Sequence, residues 1–346
     1  MRIDRAALQK WIESLACQAG IDSKEASVLA EVLTWSDMIG RPEQGVWRLP
    51  SYLKRFKHGL INSPCRPRTV AERKAVVVID GDNGLGQLLG RLAMRRAMDL
   101  AADYGVGFVG VRRSNHFGPA AYYVNLAAER GYVGLAFTNA VPKVAPPGGS
   151  ARVLGTNPLA LGAPVRSGRA ILVDLSTSVS AGSKVRRAAE SGDRIPAGVA
   201  RDAQGRDVSD AREAMTGLLE PVGGPKGFAL GFMVEILSAV LTGAAISHEV
   251  ASLYEDFSRP NGVGHAFMAL DIAALMPREE YLDRIEKLAN FARFADVPSG
   301  SEEPRIPGER RWRTYEKQAT EGVELDERTF LALRAVSQEL GVNVPC

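Results

Sequence analysis

Cysteine is scarce and unpaired in this sequence: Cys17, Cys65 and Cys346 are the only three in 346 residues, with no CxxC and no cysteine–histidine pair at metal-ligand spacing. That excludes a disulfide-stapled scaffold, gives no metal site, and fits a reduced, cytoplasmic setting. An excess of one charge is lacking too. Forty-three Lys and Arg stand against 40 Asp and Glu, a net +3 without a polybasic run, too little for the electrostatic footprint of a nucleic-acid binder. The first residues lack a signal-like apolar block; Leu8, Trp11, Ile12 and Leu15 form the stripe of an amphipathic helix, so no export is expected. Long apolar runs are absent except over 227–246 (GFALGFMVEILSAVLTGAAI), whose single charge, Glu235, stands near its middle. A carboxylate at mid-bilayer is costly, the segment is solitary and its flanks carry no aromatic belt, so it is expected to be a core helix and no membrane partner is expected.

What the chain has in excess is glycine, 35 residues, about 10% against a background of roughly 7% and with no collagen-like period. The length suits two domains. Residues 1–60 have helical texture, and Asp22 and Glu25 stand at capping-box spacing. A proline-bearing connection follows over 62–74. Short apolar runs at 75–80, 106–111, 132–137 and 170–174 suit buried strands. Helical lengths over 87–104 and 119–130 make this middle region mixed α/β. The stretch 299–314 is polar and turn-rich, and 326–340 is again helical.

Four features invite chemistry. Gly84, Gly86 and Gly90 follow an apolar run at a helix start, but the spacing is GxGxxxG, and no acidic residue is clearly placed to hold a ribose, so a regular Rossmann site is not supported. In RRSNHFGPAAYY (112–123), His116 lies after a strand and before a helix, where an imidazole suits proton transfer; a buried histidine satisfied by backbone is the plainer alternative. Three glycine-, asparagine- and hydroxyl-rich loops, 138–149, 153–164 and 173–184, offer N–H groups and hydroxyls for anion or ribose recognition, or act as turns. Lys226 in PVGGPKGF opens the apolar segment, either as part of an anion site at a helix start or as a solvated lysine. Arg305 and Arg310 in RIPGER are candidates for the same anion.

GVWRLPSYLKRFKHGLIN, DGDNGLGQ, RRSNHFGPAAYY, VLGTNPLALGAP, VDLSTS, GGPKGFALGFMVEILSAVLTGA and RIPGER occur in this order across nearly the whole chain. Together they resemble the malate/L-lactate/sulfolactate dehydrogenase family. That family also includes ureidoglycolate dehydrogenase, diketogulonate reductase and cyclic-imine (piperideine and pyrroline carboxylate) reductases. The resemblance implies an α/β fold with a non-Rossmann NAD(P)-binding sheet domain over 71–299. A helical domain of residues 1–70 would be completed by 300–346. It also implies a homodimer that uses NADH or NADPH to reduce a C=O or C=N beside a carboxylate in a small molecule. By motif, the implied cofactor contacts are His116, Phe117, Gly118, Pro119 and Ala120; Asp174, Leu175 and Ser176; Pro225 and Lys226; and Arg305, Gly308 and Arg310. Thr156, Gln44 and Arg48 would face the substrate, Arg48 as a bidentate carboxylate clamp. His116, Arg48, Glu43 and Lys184 are the implied catalytic group.

Three departures from that resemblance fall on the presumed cleft. The family's Ser-His-Gly-Val, whose histidine is a proposed proton donor, is here Glu43-Gln44-Gly45-Val46. Its Ala-Arg-Gly-Lys is Ala181-Gly182-Ser183-Lys184, and Pro225 replaces a frequent histidine or tyrosine. Glutamine cannot titrate, so the proton for ketone reduction must come from His116, Glu43 or water. A protonated imine needs it less. A non-redox biosynthetic step on the same fold, with Glu43 or His116 as base, is the alternative.

Overall fold

The computed structural model describes every residue except 167, 203, 299, 301, 302 and 346, so Cys346 lies outside the described residues. Helices α1 (Arg5–Gln18) and α2 (Ser23–Met38) begin where a carboxylate meets free N–H groups. Asp4 accepts from Ala7, and Asp22 accepts from Lys24 and Glu25. The expected capping box is only half present. Glu25 accepts instead from the Cys65 N–H at 2.8 Å and from the Ser63 hydroxyl, fastening the connection after residue 62 to the start of α2. Two 3₁₀ turns, Pro42–Gln44 and Val46–Arg48, then lead into α3 (Leu49–Lys57).

Among the described residues, seven strands form the main sheet: β1 (Arg68–Arg73), β2 (Val76–Asp80), β3 (Val106–Ser114), β4 (Tyr132–Thr138), β5 (Leu159–Ala163), β6 (Ile171–Leu175) and β7 (Val263–Asp271). Their order is β1-β2-β3-β7-β4-β5-β6. Only β2 and β3 are parallel neighbours; the other pairs are antiparallel. Helix α4 (Gly86–Tyr104) joins that parallel pair, and α5 (Ala120–Glu129) joins β3 to β4. The four apolar runs in the sequence match β2, β3, β4 and β6. Strand β7, the latest in the chain, enters the middle of the sheet and alternates its side chains between two cores: Phe267 packs with α4 and α5, Ala266 with Phe137 and Val234 on the other face.

The glycines after β2 serve close packing. A Cβ on Gly86 would lie 2.1 Å from the Asn115 carbonyl oxygen, and one on Gly90 would lie 2.6 Å from the Tyr123 ring. Glycine at 86 therefore lets α4 start directly against the segment that carries His116.

A small lobe follows the sheet, built from α6 (Gly182–Ser191), α7 (Ala211–Thr216) and three two-residue strands around Val185, Val199, Val208 and Leu219. The segment 227–246 departs from the expected core helix. It forms α8 (Pro225–Glu235), then a π-helical turn (Ile236–Val240). Val234 and Ala239 pack on the sheet, while Phe232, Val240 and Leu241 are 51%, 55% and 59% exposed. One face alone suffices to cover this side of the sheet, so the other remains bare. Among the described residues no helix is long and apolar enough to cross a membrane.

Helix α9 (Arg278–Arg293) follows β7, and α10 (Glu309–Glu321) and α11 (Glu327–Leu340) return to the amino-terminal helices. Arg2–Ile3 pairs antiparallel with Val323–Glu324, and Trp11 Nε1 donates to Ser337 Oγ at 2.8 Å.

Candidate active site

The two turns after α2 are held by a buried carboxylate. Asp37 Oδ2 accepts from the Val46 N–H at 2.8 Å, and a Cβ on Gly45 would lie 2.1 Å from the same oxygen. Burial pushes Asp37 well above the usual carboxylate range. This packing fixes Gln44 and Arg48 on one wall of a cleft with about 1230 Å³ of empty space. Arg48 is 4% exposed. Its Nε donates to the Glu43 carbonyl at 2.9 Å and its Nη1 to the Tyr254 hydroxyl, with the Trp47 and Tyr254 rings beside the guanidinium. No hydrogen bond from its Nη2 is found among the described residues.

His116 borders the same cleft from the loop between β3 and α5. Gly118, at φ +81°, turns the chain so that its N–H donates to His116 Nδ1 at 3.2 Å, and the Tyr52 hydroxyl lies 2.6 Å from the same nitrogen. An Nδ1 that accepts leaves the ring hydrogen on Nε2. Burial, then the Arg48 charge, then His265 hold His116 well below the ordinary histidine pKa. It is a neutral imidazole at pH 7. Burial also keeps Tyr52 protonated, above its ordinary value. His265 is a core residue: Nδ1 and Nε2 lie 2.7 and 2.8 Å from the hydroxyls of Thr138 and Ser114, and burial lowers its pKa to about 3.

Gln44 Nε2 donates to Ser183 Oγ at 3.2 Å, and Gln44 Oε1 is buried without a partner among the described residues. Phe117, Gly118, Pro119, Ala120, Thr156, Asp174 and Ser176 border the cleft as well, although Phe117 stacks its ring inward on His265 at 4.5 Å. Asp174 Oδ2 accepts from the Ala121 N–H at 3.3 Å, a carboxylate at the positive end of α5. Glu43 stands behind this wall, paired with Arg41 Nε at 2.8 Å.

Lys184, Leu175, Arg305, Gly308 and Arg310 border an adjoining cavity, which shares Arg41 and Asp174 with the first. Pro225 and Lys226 begin α8 outside the linings of both, with Lys226 exposed. Sequence reasoning missed Tyr52, Tyr254, Lys143 and Arg311. Tyr52 follows Arg48 by four residues, a spacing that places them on one helical face. Arg311, next to the expected Arg310, donates to the Asp174 carbonyl at 2.7 Å. Lys143 lies in the 138–149 loop expected to recognise a ligand, but nothing in the loop singles out the lysine, and no local signal marks Tyr254.

The α/β fold thus brings a fixed arginine and a neutral histidine together in one cleft. The model of the malate/L-lactate dehydrogenase family matches residues 3–334, and the chain belongs to that family. It is 34% identical to a malate dehydrogenase of Pyrococcus abyssi, over 99% of this chain and 96% of that protein. The structure is similar to malate dehydrogenase from Entamoeba histolytica, with TM-score 0.96, 28% identity and coverage of 100% and 99% of the two chains. It is also similar to Δ1-piperideine-2-carboxylate reductase from Pseudomonas syringae, with TM-score 0.85, 28% identity and coverage of 97% and 99%. Further relatives carry names specifying NAD+ in one case and NADP+ in another.

Proposed function

We propose that this chain is an NAD(P)H-dependent reductase of a C=O or C=N group adjacent to a carboxylate, acting as a homodimer on a small 2-oxo or cyclic imino acid. The observation that carries this reading is Arg48, fixed by its backbone and tyrosine partners, beside the neutral His116 in one cleft.

The residues fit the implied dinucleotide. The unpartnered Gln44 Oε1 suits an amide donor. His116 to Ala120, Asp174 and Ser176 are the residues that would hold the dinucleotide from the cleft, and Lys184, Arg305 and Arg310 from the adjoining cavity. When bound, NAD(P)H supplies the hydride.

Arg48 binds and orients the substrate carboxylate. His116 offers its Nε2–H as a hydrogen-bond donor to the reacting group in reduction, and in the reverse direction its neutral ring is a base. It is a weak acid, and Gln44 is none. The proton therefore arrives either on the substrate, as in a protonated imine, or from another cleft residue. The bare apolar face of α8 and the turn after it, with Phe232, Val240 and Leu241 exposed, supports the homodimer, since clustered exposed apolar side chains suit an interface between copies. We also read residues 1–70 and 300–346 as one helical domain and 71–299 as the α/β domain.

Titration of the purified protein with NADH and NADPH by fluorescence tests this reading. Binding of one dinucleotide, followed by its oxidation with 2-oxo or cyclic imino acids, is expected. Binding of neither would overturn it, and conversion of substrate without a change in the nicotinamide would favour non-redox chemistry with His116 as base.

A further inference from the structure

Lys143 belongs to the loop after β4 and borders the cleft together with Gln44, Arg48, His116 and Thr156. The other two cations on its side are engaged. Arg152 donates to the carbonyls of Met215 and Gly217, and Arg186 is paired with Glu255. Lys143 Nζ makes no hydrogen bond or ion pair among the described residues. It is the cleft ammonium left for a ligand.

Its position follows from an exchange of side chains. A Cβ built on Gly182 would lie 3.2 Å from Lys143 Cδ, 3.5 Å from Lys143 Cε and 3.8 Å from Thr156 Cγ2. The lysine stem therefore passes through the space that a side chain at residue 182 would need, and the absence of one there lets it pass. The next residue, Ser183, holds Gln44. The ammonium is thus delivered to the corner where the common motif's acid and arginine are both missing.

We propose that Lys143 is a catalytic residue, the proton donor for carbonyl reduction in this cleft. The inference rests on the reductase reading and selects its C=O branch. The substrate carbonyl carbon takes the hydride, its π electrons pass to oxygen, and oxygen takes a proton from Lys143 Nζ. The resulting neutral amine regains a proton from water, so one carbonyl becomes one alcohol for each nicotinamide oxidised. Desolvation, followed by the Arg152 charge, lowers the Lys143 pKa to about 8, with Glu255 opposing and Arg186 adding to the shift. A donor near the working pH is both populated and willing to give up its proton.

The test uses the full chain, Lys143→Met, Lys143→Arg and Lys143→Met/Gly182→Arg, the last returning a fixed cation to residue 182. Lysines of the wild type are reductively methylated with ¹³C-formaldehyde and titrated by NMR, with the Lys143 signal identified by its absence from Lys143→Arg. Midpoint titration near 8 is expected; titration near the ordinary lysine value would overturn the proposal. With oxaloacetate and pyruvate as probes, Lys143→Met is expected to lower kcat about 100-fold or more. Lys143→Arg and the double variant are expected to recover KM but not kcat, because arginine keeps its proton. With Δ1-piperideine-2-carboxylate, which can bring its own proton, the loss in Lys143→Met should be clearly smaller than with the oxo acids, and an equal loss would sink the acid role. Full kcat in Lys143→Arg would assign the residue to charge alone and sink the acid role. NADH fluorescence on the same samples separates the failures: binding retained with no effect of Lys143→Met refutes Lys143, while no binding by wild type refutes the reductase reading itself.

Discussion

Gln44 donates to Ser183 Oγ across 3.2 Å, so two positions that depart from the family pattern, 139 residues apart in the chain, meet as a bonded pair. The glutamine that removes an acid from the first motif and the serine of the second changed motif are one structural unit. Gln44→Ala and Ser183→Ala should each lower stability by about 1 kcal/mol or less, the usual value of a neutral hydrogen bond. In urea unfolding the double variant should lose less than the sum of the two, since the second change removes a bond already broken. Strict additivity would show that the contact contributes nothing.

Arg48 is pre-positioned by the Glu43 carbonyl and the Tyr254 hydroxyl before any ligand arrives. Arg48→Ala should raise KM for the carboxylate substrate about 100-fold, within the 2–5 kcal/mol lost when a buried charged partner is truncated. NADH affinity should change little. Arg48→Lys should recover only part of it, because an ammonium cannot make the paired contacts of a guanidinium. Equal losses of substrate and NADH affinity would place Arg48 outside the acid subsite.

Strands β2, β3, β4 and β6 are legible in the sequence because each is a compact apolar run between turns, whereas β7 is not. Its Gly264 and His265 interrupt the pattern, and its place between β3 and β4 depends on pairing with strands more than a hundred residues earlier. His116 and Arg48 are legible through motifs, and the cleft does contain both. Tyr254 and Lys143 reach it from separate loops, and nothing local in either loop encodes that meeting. The bare face of α8 is illegible for another reason: apolar residues all round a segment do not say which of them the fold will cover. Lys226 shows the same limit, since a helix start next to glycines does not specify which cavity it opens on.

Glu235, the lone charge in the long apolar segment, is buried with its oxygens accepting from Asn139 at 3.2 Å, Asn157 at 2.7 Å and the Ser247 N–H at 2.9 Å. It ties α8 to the loops after β4 and before β5. Glu235→Ala would leave the Ser247 N–H without a partner and take one of two acceptors from each of the Asn139 and Asn157 amides, which keep the Ala245 and Gly231 carbonyls, at about 1–3 kcal/mol for each N–H that finds no water. A loss of about 3 kcal/mol or more in urea unfolding is expected, together with reduced turnover, because Asn139 also borders the cleft. A loss below about 1 kcal/mol would mean that the network is not holding these loops.

Acid should weaken the fold through its two buried imidazoles. His265 has a pKa of about 3 in the folded chain, and His116 is held well below its ordinary value, whereas both titrate near 6.5 when unfolded. Above pH 6.5 both states are neutral and the fold keeps its full stability. Below that the unfolded chain binds protons that the folded chain refuses, so stability falls as pH falls. The slope is about 1.4 kcal/mol per pH unit for each histidine, continuing for His265 down to about pH 3. In His265→Gln the amide still has partners in Thr138 and Ser114 but takes up no proton. Urea midpoints at pH 7, 6 and 5 should therefore decline less steeply in that variant than in wild type. Parallel declines would mean that His265 already carries a proton in the folded protein, and that its two hydroxyl partners stabilise an imidazolium.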